Sequence, residues 1–398
     1  MHPYLTADIP GTGGVIKESP DDFIVTEIPA YEPSGSGEHL YLMIEKHGIT
    51  TLEAIRRIAG RLKLSDRDVG YAGMKDAVGV TRQTISLQGV KPEEALALQL
   101  DGITIVSALR HTNKLKPGHL KGNRFRIVIR RTATNTAESV GTVLEVLQRR
   151  GVPNYFGFQR YGAQGNSHMI GAAMLRRDWH KAVDCLMGEP DAVRDAEWRN
   201  AISTYHQGDL MEALRRMPRH CRTERDVLQR LAARPDVWEK AFGVIHPRLK
   251  KLYLSAFQSS LFDKVVEQRL EALDRVMEGD LAWKHVNGAC FLVESAEAEA
   301  ARADSFEISA SGPMFGSRMK QPAGAVLAME QQILEDEGII CDDFDLGSGL
   351  RMEGERRPLR VPLENVAWSV EDDFLLVEFS LPKGSYATSV VREITKNF

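Results

Sequence analysis

Val69-Gly-Tyr-Ala-Gly-Met-Lys-Asp-Ala-Val-Gly-Val-Thr-Arg-Gln-Thr-Ile-Ser-Leu87 holds a strand, a turn and a second strand in one short run. The first strand is predicted to end at Tyr71 or Ala72 and the second to run from Thr81 to Leu87. Gly73 and Gly79 permit the turn between them. Asp76 follows Lys75 on that turn. An ammonium and a carboxylate side by side at a hairpin tip are either turn-favouring surface residues or chemistry held out for use. The hairpin by itself leaves both readings open.

Towards the N-terminus, Asp22-Phe-Ile-Val-Thr-Glu-Ile28 alternates as a strand with Phe23 and Val25 on one face. Leu40 to Glu45 forms a second strand. Thr50-Thr-Leu-Glu53 has the form of a capping box, with Leu52, Ile55, Ala59 and Leu62 as the buried stripe of the helix behind it. Towards the C-terminus come a short helix opened by Pro92 and a strand from Ile103 to Leu109. Asn123-Arg-Phe-Arg-Ile-Val-Ile-Arg130 is the clearest strand of the chain. Its period of two puts Asn123, Phe125, Ile127 and Ile129 on one face and Arg124, Arg126 and Arg130 on the other. A helix carrying Val140, Val143, Leu144 and Leu147 follows. The order of strands and helices predicts an α+β domain with a mixed, mainly antiparallel sheet.

The pattern changes at Gly151-Val-Pro-Asn-Tyr-Phe-Gly-Phe-Gln-Arg-Tyr-Gly162, which is aromatic, glycine-rich and basic. From Ser167 to about Val276 the periodicity is helical, and the longest helix is expected over Leu252 to Val276. Residues 281–320 are mixed, and another helix is expected from Ala323 to Glu337. The last stretch, Leu346 to Phe398, reads as a strand (Phe374 to Ser380), a turn at Pro382-Lys-Gly384 and a helix capped by Ser385. That helix buries Ala387, Val390, Val391 and Ile394. So short a piece cannot build a core alone. It is expected to pack back on the first domain, which makes the mostly helical region, about 153–345, an insertion between parts 1–152 and 346–398.

The chain has 398 residues, 43% hydrophobic and 27% charged, within the range of ordinary globular proteins. No apolar run approaches the roughly 20 residues of a membrane span. Four cysteines without a Cys-x-x-Cys pair, and an N-terminus unlike a signal peptide, fit a reducing cytoplasm. The net charge of −4 hides two basic groups. One comprises Arg110, Lys114, Lys116, Lys121, Arg124, Arg126, Arg130 and Arg131; the other runs through Arg215, Arg216, Arg219, Arg222 and Arg225. Such faces are compatible with a polyanion, since phosphate contact depends on local potential. Gly11-Thr-Gly-Gly14 lacks the Gly-Lys-Ser/Thr ending of a phosphate loop, no His pairing suits a metal hydrolase, and no Gly-x-Ser-x-Gly elbow is present.

Ala72-Gly-Met-Lys-Asp-Ala-Val-Gly-Val-Thr-Arg-Gln83 resembles the signature of the TruD family of pseudouridine synthases, Ala-Gly-x-Lys-Asp-x-x-Ala-x-Thr-x-Gln, with Gly79 in place of the usual Ala. Four further blocks follow the family in order. They are Gly14-Val-Ile-Lys17 with Pro20-Asp-Asp-Phe-Ile-Val-Thr-Glu27, then Lys121-Gly-Asn-Arg-Phe125, then Val152 to Gly162, and last Leu381-Pro-Lys-Gly-Ser-Tyr-Ala-Thr-Ser-Val-Val-Arg-Glu393. Tyr161 stands where Phe is frequent. Residues 185–250 match no block, and their length suggests an archaeal-type member.

The resemblance implies isomerisation of uridine to pseudouridine in tRNA, chiefly uridine 13 of the D-arm, without a metal or organic cofactor. It makes Asp76 the catalytic residue and places Phe23, Asn123 and Tyr386 against the substrate. An aspartate is already ionised at neutral pH and so needs no activating base. A base that leaves the stack, turns and rejoins needs stacking walls and a few polar anchors. Phe125, on the same strand face as Asn123, is expected to form another wall. Lys17, Lys75 and Arg392 are candidates to orient Asp76 or hold a phosphate. Two rival readings share the scaffold: the same chemistry on mRNA or a small RNA, and a non-catalytic RNA-binding protein.

Overall fold

The computed structural model describes residues 2–75, 78–133, 136–347, 349–371 and 374–397. Asp76 therefore lies outside the described residues. Two compact units emerge, one of Pro3–Val152 with Val361–Phe398 and one of Pro153–Arg360.

The first unit is built on a sheet of nine described strands. In chain order its elements are β1 (Val15–Ile16), β2 (Phe23–Pro29), β3 (His39–His47), α1 (Thr51–Leu62), β4 (Val69–Tyr71), β5 (Val80–Gln88), α2 (Pro92–Leu96), β6 (Ile103–His111), β7 (Leu120–Arg130) and α3 (Thr136–Arg150). After the insertion come β8 (Glu364–Glu371), β9 (Phe374–Pro382) and α4 (Ala387–Thr395). The strands lie in the order β8-β9-β7-β2-β5-β3-β6, with β1 on β7 and β4 on β5. The β2–β5 pairing is parallel, and the other pairs are antiparallel.

That parallel pair divides the unit. On one side Phe23, Val25, Phe125, Ile127 and Phe379 pack with Val143 and Leu147 of α3 and Val390 and Ile394 of α4. On the other, Leu42, Ile44, Ile85 and Leu87 pack with Ile55 and Ile58 of α1. Val25 faces Thr81 and Ile44 faces Gln83 in the strand register, so the pleat turns both cores to one face of the sheet. Between the cores that face is polar: Glu27, Thr81, Gln83 and Asn123 occupy the intervening positions. Each core is apolar and covered by its own helices, and the polar seam lies between them.

Several local expectations shift. Leu52 is 51% exposed because α1 turns Ala54, Ile55, Ile58 and Ala59 inwards, and the Thr50 cap accepts from the Glu53 amide without the return bond. Tyr386, not Ser385, occupies the N-cap position of α4, without a side-chain cap bond, and the Ser385 hydroxyl has no partner among the described residues. β8, whose side chains are largely exposed, gives no clear alternation and escapes a sequence reading.

The second unit is helical from Ser167 to Gln268, ending in the long helix Pro247–Gln268 rather than one reaching Val276. Its mixed part resolves into a four-stranded sheet, Cys290–Leu292, Leu281–Lys284, Ile308–Met314 and Glu355–Pro358 in spatial order. Because Pro358 pairs with Ser311, the insertion extends to Arg360, and the return to the first unit falls at Val361 instead of 346. No helix of the described residues is long and apolar enough to cross a membrane.

Candidate active site

The loop that carries Asp76 is held from both sides. Lys75 N donates to Thr51 Oγ1 at 2.8 Å, and the same hydroxyl donates to Gln83 Oε1 at 2.8 Å. Gln83 Nε2 reaches back to the Gly73 carbonyl at 3.4 Å. Thr51 opens α1 and is fully buried, so a helix start and a central strand jointly clamp the turn. Gly79 makes the return with φ +113°, where a Cβ would sit 2.4 Å from the Phe23 carbonyl. Gly73, by contrast, leaves room for a side chain. The seam, not the glycine count, sets where the loop lies.

Lys75 points inwards. Its side chain is 8% exposed, and its ammonium donates to Asn123 Oδ1 and lies 3.6 Å from Glu27 Oε2. Glu27 and Asn123 are register partners on β2 and β7, which brings them together on the sheet face. Glu27 Oε1 accepts from the Thr84 amide at 3.3 Å, beyond the last β2–β5 register pair, Thr26–Arg82. The carboxylate thus takes over where backbone pairing stops. Burial pushes the Glu27 carboxyl above its usual range, opposed by the Lys75 charge. Burial likewise lowers Lys75, opposed by Glu27. Glu27 Oε2 makes no hydrogen bond among the described residues.

The other anticipated residues divide. Phe23 is buried beneath Lys17, whose Nζ stands 4.3 Å from the ring centroid. Phe125 lies in the core between Phe23 and Phe379, with ring centroids 6.4 and 5.4 Å away, so it backs Phe23 instead of offering a face of its own. Tyr386 is half-buried at the start of α4, and β9 leads to it with Leu381 opposite Asn123. At the neighbouring pair the strands approach so closely that a Cβ on Gly122 would meet the Leu381 carbonyl at 2.2 Å. Arg392 donates from its guanidinium to the Pro3 carbonyl at 3.1 Å and covers the Tyr4 ring.

Glu27, Thr51, Gln83 and Lys46 were not singled out from sequence. Lys46 is almost wholly buried opposite Thr81 and donates to the Ile49 carbonyl at 2.6 Å. The signal for Glu27 was present: it continues the Phe23, Val25 alternation, and a carboxylate at an inward position of a strand calls for a partner.

The basic groups are partly spent within the fold. Arg124 and Arg126 share Glu378, at 3.3 and 3.9 Å, and Arg130 grips Asp22 with two hydrogen bonds of 3.0 and 2.7 Å. In the insertion, Arg215 and Arg216 both hold Glu212, while Arg225 donates to the Leu214 and Met217 carbonyls. Lys116 and Lys121 stay exposed, and Lys383, bonded to the Gly118 carbonyl at 3.0 Å, lies beside them. The aromatic segment opening the insertion is a packing element: Tyr155 is buried, and Phe156 lies between the Arg357 guanidinium and the edge of Phe262. Among the described residues, no group of three or more His, Cys, Asp or Glu side chains could hold a metal ion.

The family model for tRNA pseudouridine synthase D (TruD) matches residues 1–394. The chain belongs to the TruD family. Relatives named tRNA pseudouridine synthase D include one from Geotalea daltonii, 61% identical over 397 residues, with 100% of both chains covered. One from Geobacter metallireducens is 63% identical, covering 99% of this chain and 97% of that one. One from Thermus thermophilus is 37% identical, covering 99% and 92%. The crystal structure of the putative tRNA pseudouridine synthase D from Methanosarcina mazei superposes with a TM-score of 0.85 at 26% identity, over 100% of this chain and 96% of that chain. Bacterial relatives match over essentially the whole chain, so the length of 185–250 is no archaeal mark.

Proposed function

We propose that this protein isomerises uridine to pseudouridine in tRNA, at uridine 13 of the D-arm, with Asp76 as the catalytic carboxylate. The observation that carries the reading is the clamped loop. Gly73 and Lys75, which precede Asp76, are tied to α1 and β5 in the polar seam between two apolar cores, within the stretch that carries the family signature. The chemistry breaks the N1–C1′ bond, turns the uracil and joins C5 to C1′. It needs a fixed charge near the ribose and an enclosure for the detached base. Phe23, under Lys17 and backed by Phe125, and Tyr386 supply the stacking surfaces. Asn123 and Lys75 supply polar contact to the base or its ribose. Lys116, Lys121 and Lys383 offer charge for the RNA backbone. Arg392, bonded to the Pro3 carbonyl, is a candidate to orient Asp76 or to hold a phosphate.

Asp76→Asn is expected to slow pseudouridine formation in a uridine-containing tRNA transcript on the order of 10³-fold or more while leaving tRNA binding nearly unchanged. Carbodiimide-blocked reverse transcription of treated total tRNA locates the product. Signal only outside position 13 would move the target to another site or RNA, and full activity of Asp76→Ala would remove Asp76 from the mechanism.

A further inference from the structure

Asn123 is held by one end of its amide and open at the other. A lysine ammonium has hydrogen-bond donors and no acceptor, so the atom that meets Lys75 Nζ must be the carbonyl Oδ1. The amide orientation follows from chemistry and needs no further assignment. The Nδ2 group then points away from Lys75. It has no hydrogen-bond partner among the described residues, yet Asn123 is only half-buried, so these two donors remain available. Lys75 in turn is kept in place by Glu27, whose side chain is 3% exposed and 3.6 Å from the ammonium. Glu27 is itself fixed by the Thr84 amide.

We infer that Glu27 is a positioning residue which, through Lys75, locks the Asn123 amide so that its NH₂ group donates to a carbonyl oxygen of the target uracil. The inference deepens the functional reading above and rests on it. A locked donor suits uracil, whose O2 and O4 are both acceptors; where it meets O4 it also opposes cytosine, which presents an amino group there and shares only O2. Without Glu27, the Lys75 ammonium loses its counter-charge in a buried site, and the amide is free to turn its Oδ1 to the base. Selectivity for an acceptor then fades even where the fold survives.

The test uses tRNA transcripts bearing uridine, 2-thiouridine or 4-thiouridine at the target, with single-turnover rates for the full-length wild-type protein, Glu27→Gln and Asn123→Ala. Sulfur accepts hydrogen bonds poorly, so one of the two thio transcripts should be slowed about 10-fold in the wild type, the worth of one good hydrogen bond. In Glu27→Gln and Asn123→Ala the same ratio to uridine should fall below about 3-fold, because the donor is misdirected or gone. A merely structural loss at Glu27 would slow all three transcripts alike and leave the ratio untouched; that result overturns the inference. So does equal wild-type turnover of uridine and both thio transcripts, which needs no variant to fold. If the wild type leaves even the uridine transcript unchanged, the functional reading itself fails.

Discussion

Glu330 and Glu27 are both buried carboxylates beside a buried cation, one in each unit, and they are finished differently. Arg356 grips Glu330 with two hydrogen bonds of 2.9 and 2.8 Å and also donates to Ser311, so that the pair lies closed within the insertion. Lys75 and Glu27 stand 3.6 Å apart, Glu27 Oε2 makes no hydrogen bond among the described residues, and Asn123 keeps a free amide group. Arginine's planar fork suits a carboxylate on two edges, whereas a lysine ammonium is a point charge that can be shared. The closed pair holds strands and helices together. The open one costs burial without full pairing. Incomplete pairing at the seam agrees with the substrate site proposed above.

The comparison breaks first at Glu330. Glu330→Gln leaves the Arg356 guanidinium buried without its counter-charge, which should lower unfolding stability by about 3–5 kcal/mol in urea titration. Turnover per folded molecule should hardly change. If Glu330→Gln costs no more stability than Glu27→Gln, closed and open pairs are not distinct in kind.

A half-buried histidine of the insertion should contribute to the acid limit. Burial and the nearby Arg360 charge lower the His285 imidazole to about 4 from its ordinary value of 6.5, and its Nε2 lies 2.9 Å from Ser309 Oγ. The folded state thus holds fewer protons than the unfolded chain between those values. Stability rises with pH across that window and is lost as pH falls from about 6.5 to about 4, by about 2 kcal/mol after allowance for solvent screening. His285→Gln should flatten that part of the melting-temperature profile relative to wild type. Parallel profiles for the two proteins would remove His285 as the acid-sensitive point and shift attention to the ion pairs.

Much of this fold was open to reading along the chain, and the exceptions have physical causes. Asn123 to Arg130 alternated cleanly because one side of β7 is core and the other carries the paired arginines. β8 carried no such signal because nearly all of its side chains reach solvent. The second crossing between units was misplaced because Glu355–Pro358 belongs to a sheet whose other strands lie more than forty residues earlier. At the site, Asn123 and Phe23 came from matched blocks, and the shared face of Asn123 and Phe125 came from the period of two. The inward turn of Lys75 did not, since nothing in Met74-Lys75 tells which side of the loop a side chain takes. Only Glu27, across the sheet, supplies the reason. Phe125 was given a wall position by alternation alone, which fixes a face but not how far a neighbouring ring covers it.

The smallest expected effect tests the clamp without touching any charge. Thr51→Val keeps the shape of a fully buried side chain but removes the hydroxyl that accepts from Lys75 N and donates to Gln83 Oε1. One amide and one side-chain carbonyl lose their partner, and β-branching in the first turn of α1 is unchanged, so global stability should fall by only about 1–2 kcal/mol. Locally the change should be larger. The Lys75 amide should exchange with solvent deuterium about 10-fold faster or more, following the loss of its acceptor. Catalysis should slow in parallel, because the same bond fixes the residue before Asp76. An unchanged Lys75 exchange rate with impaired turnover would mean that Thr51 acts through Gln83 and the strand; faster exchange with full turnover would mean that the loop needs no clamp, and that the open pair at Lys75 and Glu27 suffices to place it.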